Sequence, residues 1–159
     1  MKHSAILASI GLFFLLATGY AQAQTVAAPN CDPMQEGKVS QWLGPCKQAA
    51  VKGNGYAALM VGAIYWNGDG VSKDHAQAAH WFELADLAGE TRAAKMLGDE
   101  AFTRLVKAGK PEDTDRAVLD TAIGWYEKAV EVEPFPEAKT EAEQSLALLT
   151  SLKQQLSAR

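Results

Sequence analysis

The most informative stretch of this 159-residue sequence is YAALMVGAIYWNGDGVSKDHAQAAHWFELADLAG, residues 56–89. Apolar residues at helical spacing from Tyr56 to Trp66 predict a first helix. The segment Asn-Gly-Asp-Gly at 67–70 ends it, because glycine tolerates the left-handed backbone that a helix end requires. Asp74 followed three residues later by Gln77 is a capping-box pattern, and it predicts a second helix that runs to the end of the stretch.

This helix–turn–helix unit recurs in the chain. At an offset of 36, the first helix is matched by Ala93, Leu97 and Gly98. At an offset of 44, WFELA at 81–85 is matched by WYEKA at 125–129. Repeats of this length are typical of α-solenoids, in which neighbouring helix hairpins stack and bury their apolar stripes against each other.

The predicted fold is all-α, a short solenoid of stacked antiparallel helix hairpins. No alternation of apolar and polar residues predicts a strand. We divide the chain into a signal peptide (1–23), a linker (24–30), an incomplete N-terminal hairpin (31–53), a first repeat (54–89), a degenerate second repeat (90–133) and a C-terminal capping helix (134–159).

Helix starts and faces are predicted at both ends of the solenoid. In the N-terminal hairpin, one helix should start at Asp32-Pro33 and another at Gly44-Pro45. In the second repeat, Asp113 or Asp115 should cap the second helix. One face of the capping helix should carry Leu146, Leu149, Leu152 and Leu156.

A family pattern is matched over one full unit, at Ala57, Val61, Gly62, Tyr65, Asn67, Gly68, Gly70, Val71, Asp74, Ala78, Trp81, Phe82, Ala85 and Gly89. These positions resemble the Sel-one-like repeat, a branch of the tetratricopeptide-like α-solenoids. The second unit departs from the pattern, because Ala101 and Arg104 stand at the equivalents of Tyr65 and Gly68. The resemblance implies an adaptor or scaffold role in protein–protein contact, with no shared catalytic residues to carry over.

Residues 1–23 have the pattern of a secretory signal peptide. Lys2 and His3 form a basic start, an apolar stretch runs from Ala5 to Ala17, and Ala21-Gln22-Ala23 is a small-x-small cleavage site. The apolar core is too short to span a bilayer comfortably. We therefore expect cleavage near Ala23, a periplasmic or secreted mature chain, and no stable membrane insertion. An uncleaved anchor is the alternative.

The composition excludes several classes of protein. With 48% hydrophobic and 21% charged residues, the chain is neither collagen-like nor coiled-coil nor wholly disordered. Its 15 Lys and Arg residues face 19 Asp and Glu residues, a net charge of −4. Phosphate binding needs clustered basic residues, so we expect no nucleic-acid partner.

The two cysteines, Cys31 and Cys46, both follow the predicted signal peptide. An even number of cysteines in an exported chain predicts a disulfide. A zinc site is the weaker hypothesis, because two cysteines without a nearby Cys or His pair supply too few ligands.

No motif predicts catalysis, a metal or a cofactor. His75 and His80 are five residues apart and do not share a helix face. A calcium loop starting at Asn67 would need a glutamate where Ala78 stands. The chain also lacks a Gly-x-Ser-x-Gly elbow and a glycine-rich phosphate loop. An acidic run could do acid–base work, although a solvated helix face is the commoner explanation; it comprises Glu131, Glu133, Glu137, Glu141 and Glu143.

Methionine and aromatic residues recur at equivalent places in the two repeats. The first helix of each hairpin should line the concave surface of the solenoid, and we predict a protein-binding groove there. Such side chains make good anchors for a partner, although packing between hairpins explains them equally well. The predicted groove residues are Met60, Ala63, Trp66, Met96, Asp99 and Phe102.

The sequence therefore predicts a non-catalytic protein–protein interaction module of the bacterial cell envelope, with another protein as its partner. An immunity or inhibitor protein that neutralises a secreted toxin in the periplasm is an alternative. A hydrolase acting on the cell wall or on β-lactams is less favoured, because no nucleophile is paired with a base.

Overall fold

The computed structural model describes residue 31 and residues 39–108 and 115–158. The predicted signal peptide and linker, the predicted helix start at Asp32-Pro33, and Asp113 lie outside the described residues.

The regular structure of the described residues consists of helices, without a strand. Consecutive helices are joined by short connections and pack against each other, so the chain winds as an all-α solenoid of antiparallel hairpins. The helices are α1 (Val39–Val51), α2 (Gly55–Asn67), α3 (His75–Leu87), α4 (Ala93–Ala108), α5 (Arg116–Val132) and α6 (Pro136–Ser157).

Side-chain caps fix where the helices begin. The Asp74 carboxylate accepts a hydrogen bond from the backbone N–H of Gln77 at 3.0 Å, as the capping pattern predicts. The N–H of Asp74 donates to the backbone oxygen of Tyr65 at 2.9 Å, so the reciprocal half of the box is replaced by a contact with α2. At α5, the cap is Asp115 rather than Asp113, because Asp115 accepts from the N–H of Ala117.

The turn after α2 depends on glycine. Gly68 has φ of 82° and Gly70 has φ of 67°, in the region where other residues are strained. The N–H of Gly68 donates to the backbone oxygen of Ile64 at 2.8 Å and closes the helix. The segment 67–70 is therefore the helix-ending turn that the sequence predicts.

The second repeat lacks this turn. Arg104 replaces the glycine, and α4 continues past it to Ala108. Ala101, at the Tyr65 position, is buried. The departure from the repeat pattern thus lengthens the first helix of the second hairpin.

The N-terminal helix corrects one prediction. We expected a helix to start at Gly44-Pro45, but α1 begins at Val39 and contains Pro45. A helix across this proline places Trp42, Cys46 and Ala50 on one face, and all three are buried. The carbonyl that Pro45 cannot bond belongs to Gln41, which is exposed to water. Burial of the apolar face therefore outweighs the lost hydrogen bond.

Cys31 and Cys46 form the predicted disulfide, with their Cα atoms 5.7 Å apart. Both cysteines belong to the hydrophobic cluster that α1 shares with the first hairpin. The disulfide therefore ties the start of the described chain to the middle of α1.

Two hydrophobic clusters form the core of the described part of the chain. The first contains the packed faces of α1, α2 and α3 with the start of α4, and the second lies among α4, α5 and α6. Trp125 packs against both clusters. The predicted leucine face of α6 is confirmed, because Leu149 is buried and Leu146, Leu152 and Leu156 pack around it.

Within the described part of the chain, no helix is both long enough and apolar enough to cross a membrane.

Candidate functional site

The six predicted groove residues lie on the first helix of each hairpin, three on α2 and three on α4. Each is partly exposed. Met60, Trp66 and Met96 pack against the first hydrophobic cluster, and Phe102 packs against the second. These side chains thus contribute to packing and also present part of their surface to solvent, so their role in binding stays a prediction.

Trp66 is held in place by an aromatic contact. Its ring meets the ring of His75 edge to face, with centroids 4.5 Å apart. Nδ1 of His75 is buried and has no hydrogen-bond partner among the described residues. The contact joins the end of α2 to the start of α3, so the orientation of Trp66 depends on the turn between these helices.

Asp99 lies between Met96 and Phe102, and its carboxylate accepts hydrogen bonds from other side chains of the protein. The Tyr126 hydroxyl donates to Oδ1 of Asp99 at 2.7 Å, and Lys95 Nζ donates to Oδ2 at 3.0 Å. Lys95 also lies 3.1 Å from Oε2 of Glu141 on α6. This network connects α4, α5 and α6 and occupies both oxygens of Asp99.

Burial and charge shift two pKa values in this network. Burial raises the pKa of Tyr126, and the hydrogen bond to the Asp99 carboxylate raises it further. Burial lowers the pKa of Lys95, but the carboxylates of Asp99 and Glu141 outweigh that effect and leave it above its ordinary value. Tyr126 therefore stays protonated and donates, which suits a structural hydrogen bond.

A glycine on the first helix of each hairpin seats an aromatic ring from the second. A Cβ on Gly62 would lie 2.5 Å from the ring of Phe82, and a Cβ on Gly98 would lie 2.9 Å from the ring of Tyr126. Gly62 and Gly98 are 36 residues apart, and Phe82 and Tyr126 are 44 apart. The two hairpins thus use the same close packing at equivalent places.

A charged pair fixes the turn between the hairpins. Arg92 Nε donates to Oε1 of Glu90 at 2.7 Å, and Nη2 donates to Oε2 at 3.0 Å. The guanidinium lies 5.4 Å from the ring centroid of Tyr56. Hydrogen bonding to Arg92 holds the pKa of Glu90 below its ordinary value. The pair joins the end of one repeat to the start of the next.

Two residues of the acidic run make contacts within the fold. Glu133 is buried and accepts a hydrogen bond from the backbone N–H of Phe135 at 3.2 Å. Glu141 is paired with Lys95. Among the described residues, no group of three His, Cys, Asp or Glu side chains could hold a metal ion.

A charged cleft between α3 and α4 was not predicted from the sequence. It has a volume of about 360 Å³ and lies where α3 begins and α4 ends. Glu100 is almost fully buried in it, at the position that Ile64 occupies in the first repeat. The signal that could have revealed it is this charged residue at an apolar repeat position. The cleft is lined by Ala76, Ala79, His80, Glu83, Glu100 and Arg104.

The two hairpins coincide with two matches to a family model, the Sel1 repeat, at residues 55–85 and 92–131. The first match covers α2 and most of α3, and the second covers α4 and most of α5. The chain contains two Sel1 repeats. Sel1 repeats generally mediate protein–protein interaction and are typically non-catalytic modules. No curated protein and no solved structure matches this Sel1-like repeat chain significantly.

Proposed function

We propose that this Sel1-like repeat protein is a non-catalytic adaptor that binds another protein in the bacterial cell envelope. The observation that carries the proposal is two pairs of equivalent, partly exposed side chains on α2 and α4. Met60 corresponds to Met96, and Trp66 corresponds to Phe102. Large flexible and aromatic side chains that remain partly exposed supply the anchor contacts on which protein affinity depends.

The cellular location in this proposal rests on two features. The sequence pattern of residues 1–23 predicts export. The Cys31–Cys46 disulfide is compatible with an oxidising compartment. N-terminal sequencing of the protein from cell fractions tests the location: a mature start at Gln24 in the periplasm or medium supports it, and an intact Met1 in the cytoplasm contradicts it.

Substitution of Trp66 by serine tests the binding surface. The partner is first captured from an envelope extract, identified by mass spectrometry and purified. We expect Trp66→Ser to raise the Kd for this partner by about thirtyfold or more, because truncation of an aromatic anchor at a binding hot spot costs about 2 kcal/mol or more. Calorimetric titration measures the Kd, and thermal unfolding of the same sample measures the loss of stability.

Trp125→Ser is the matched control, because Trp125 is also a partly buried tryptophan but lies on α5, outside the predicted groove. It should lower the melting temperature and leave the Kd unchanged. An unaltered Kd for Trp66→Ser together with a large drop in melting temperature would show that Trp66 only packs between hairpins.

The non-catalytic part of the proposal has its own test. We expect no turnover when the purified protein is incubated with peptidoglycan or a β-lactam. Hydrolysis that disappears on single substitutions in the acidic run at 131–143 would replace the adaptor function with an enzymatic one.

A further inference from the structure

The charged cleft between α3 and α4 coincides with the departures of the second repeat from the first. At an offset of 36, Glu100 replaces Ile64, which is fully buried, and Arg104 replaces the turn glycine Gly68. The first replacement puts a carboxylate where the repeat has an apolar side chain. The second lets α4 continue and form one side of the cleft.

The α3 side of the cleft is one stripe of that helix. Ala76, Ala79, His80 and Glu83 are spaced so that they lie on the same face and point towards α4. The two alanines are small and apolar, and they form a wall against which a hydrocarbon stem can pack. Glu83 is exposed and supplies a second carboxylate at the opening.

Glu100 lacks the hydrogen bonds that a buried carboxylate normally has. Its side chain is 9% exposed, and within the described part of the chain no group donates a hydrogen bond to it. The nearest cation, Arg104 Nη1, is 3.8 Å away, beyond hydrogen-bond distance, and its side chain is 57% exposed. A carboxylate in this position gains from each donor that reaches it, and a donor that enters the cleft would supply the hydrogen bond that Arg104 does not make.

We propose that this cleft binds an arginine side chain of the partner protein, with the guanidinium placed between Glu100 and Glu83. A guanidinium has several N–H donors in one plane and can bond two carboxylates at once. Its methylene stem packs on Ala76 and Ala79. Arg104 is exposed and makes no hydrogen bond to Glu100, so it can give way to the entering guanidinium.

The side chains that line the cleft and their charges determine the class of ligand. His80, Glu83 and Glu100 share it, but no group of three such side chains among the described residues could hold a metal ion. Two carboxylates against one exposed guanidinium favour a cation over an anion. The chain as a whole is acidic, which favours a basic partner surface.

A peptide titration followed by NMR tests the cleft without the unidentified partner. The probe is a capped Ala-Ala-Arg-Ala-Ala peptide, and the control peptide carries citrulline, which keeps the shape of arginine without its charge. We expect the arginine peptide to shift the amide resonances of Ala76, Ala79 and Arg104 in a saturable manner. The citrulline peptide should bind about tenfold more weakly or worse.

Three variants of the protein complete the test. Glu100→Gln should raise the Kd of the arginine peptide by about tenfold. Glu127 is an exposed glutamate on α5, and Glu127→Gln should leave this Kd unchanged. Arg104→Gln should tighten binding, because it removes the competing cation. It also keeps the test valid if Glu100→Gln is poorly folded.

The proposal is wrong if the arginine peptide gives no saturable shifts, if citrulline binds equally well, or if Arg104→Gln weakens binding, since removal of a competing cation should not weaken a cation site. It rests on the proposed adaptor function only in assigning the arginine to a protein partner. If the peptide binds the cleft saturably but no partner protein is captured, the proposed adaptor function is contradicted. A captured partner whose Kd is unaffected by Glu100→Gln would contradict the cleft as its binding site.

Discussion

Two glycines in the middle of helices set how closely the paired helices approach. Gly62 and Gly98 have no side chain, and the rings of Phe82 and Tyr126 fill the space that a methyl group would need. Phe82 is fully buried, so it has no open space into which to move. The usual cost of glycine within a helix is accepted here because it permits the packing of an aromatic ring against the backbone.

Alanine substitutions at two helical glycines should therefore have opposite effects. Gly62→Ala should lower the free energy of unfolding by about 2 kcal/mol, because the new methyl group overlaps the Phe82 ring. Gly124→Ala is the matched control, since nothing lies within 4 Å of its position on α5. It should raise the free energy of unfolding by about 0.5–1 kcal/mol through helix propensity. Urea denaturation measures both, and stabilisation by Gly62→Ala would contradict the packing argument.

Local signals predicted single residues well, and contacts between distant residues were not predictable. The cap at Asp74 and the turn at Gly68 depend on neighbours within a few positions, and both predictions are confirmed. The bond between Asp99 and Tyr126 joins residues 27 apart. It exists only because α4 and α5 pack in one register, which no local pattern specifies.

At the scale of elements, α1 shows how tertiary packing overrides a local signal. The Gly44-Pro45 pair is typical of a helix start, yet the helix runs through it because Trp42 and Cys46 both face the core. The helix face that packing requires was visible in the spacing of these two residues. Whether burial of this face outweighs the hydrogen bond lost at the proline depends on contacts with the first repeat, and these contacts are known only from the fold.

The disulfide should stabilise this end of the solenoid, where α1 packs on α2 and α3 and is the first of the described helices. Closing a loop of 15 residues contributes about 3 kcal/mol in the chain-entropy model. We expect a reducing agent to lower the free energy of unfolding of the wild-type protein by about that amount. Hydrogen exchange should speed up first in α1.

The double variant Cys31→Ser with Cys46→Ser is the control for that experiment, and reductant should not change its stability. If thiol-reactive labels modify both cysteines in the unreduced, denatured protein, the disulfide does not form and the prediction fails.

At the scale of the whole molecule, the two repeats are joined by shared packing and by an ion pair between α3 and α5. Trp125 contributes to both hydrophobic clusters. Lys128 on α5 donates to both oxygens of Asp86 on α3, at 2.6 and 2.8 Å. The Asp86 side chain is only 15% exposed, so this pair is shielded from solvent on one side.

A double-mutant cycle should detect this link between the repeats. For Asp86→Asn and Lys128→Gln we expect a coupling energy of about 1 kcal/mol, because the pair is bidentate and partly buried. The control is Asp120–Lys153, 2.7 Å apart and exposed on both sides. Its coupling should be below about 0.3 kcal/mol. Equal couplings in the two cycles would show that burial of Asp86 does not strengthen its pair.

The repeat offsets predicted the overall architecture, because each hairpin buries its apolar stripe only by stacking on the next. The same offsets placed the predicted groove residues on α2 and α4. The charged cleft was not predicted, because a glutamate within a helix, such as Glu100, is usually an exposed polar residue. Its burial becomes visible only when its position is compared with Ile64 in the other repeat.

The bond between Cys31 and Cys46 also determines what a protease could remove from this end of the protein. A single cut anywhere between these two cysteines leaves both fragments covalently attached, so the nicked chain loses no mass until it is reduced. Trp42 lies within that interval and belongs to the core. One cleavage in that interval would therefore not detach the segment of α1 that carries this tryptophan.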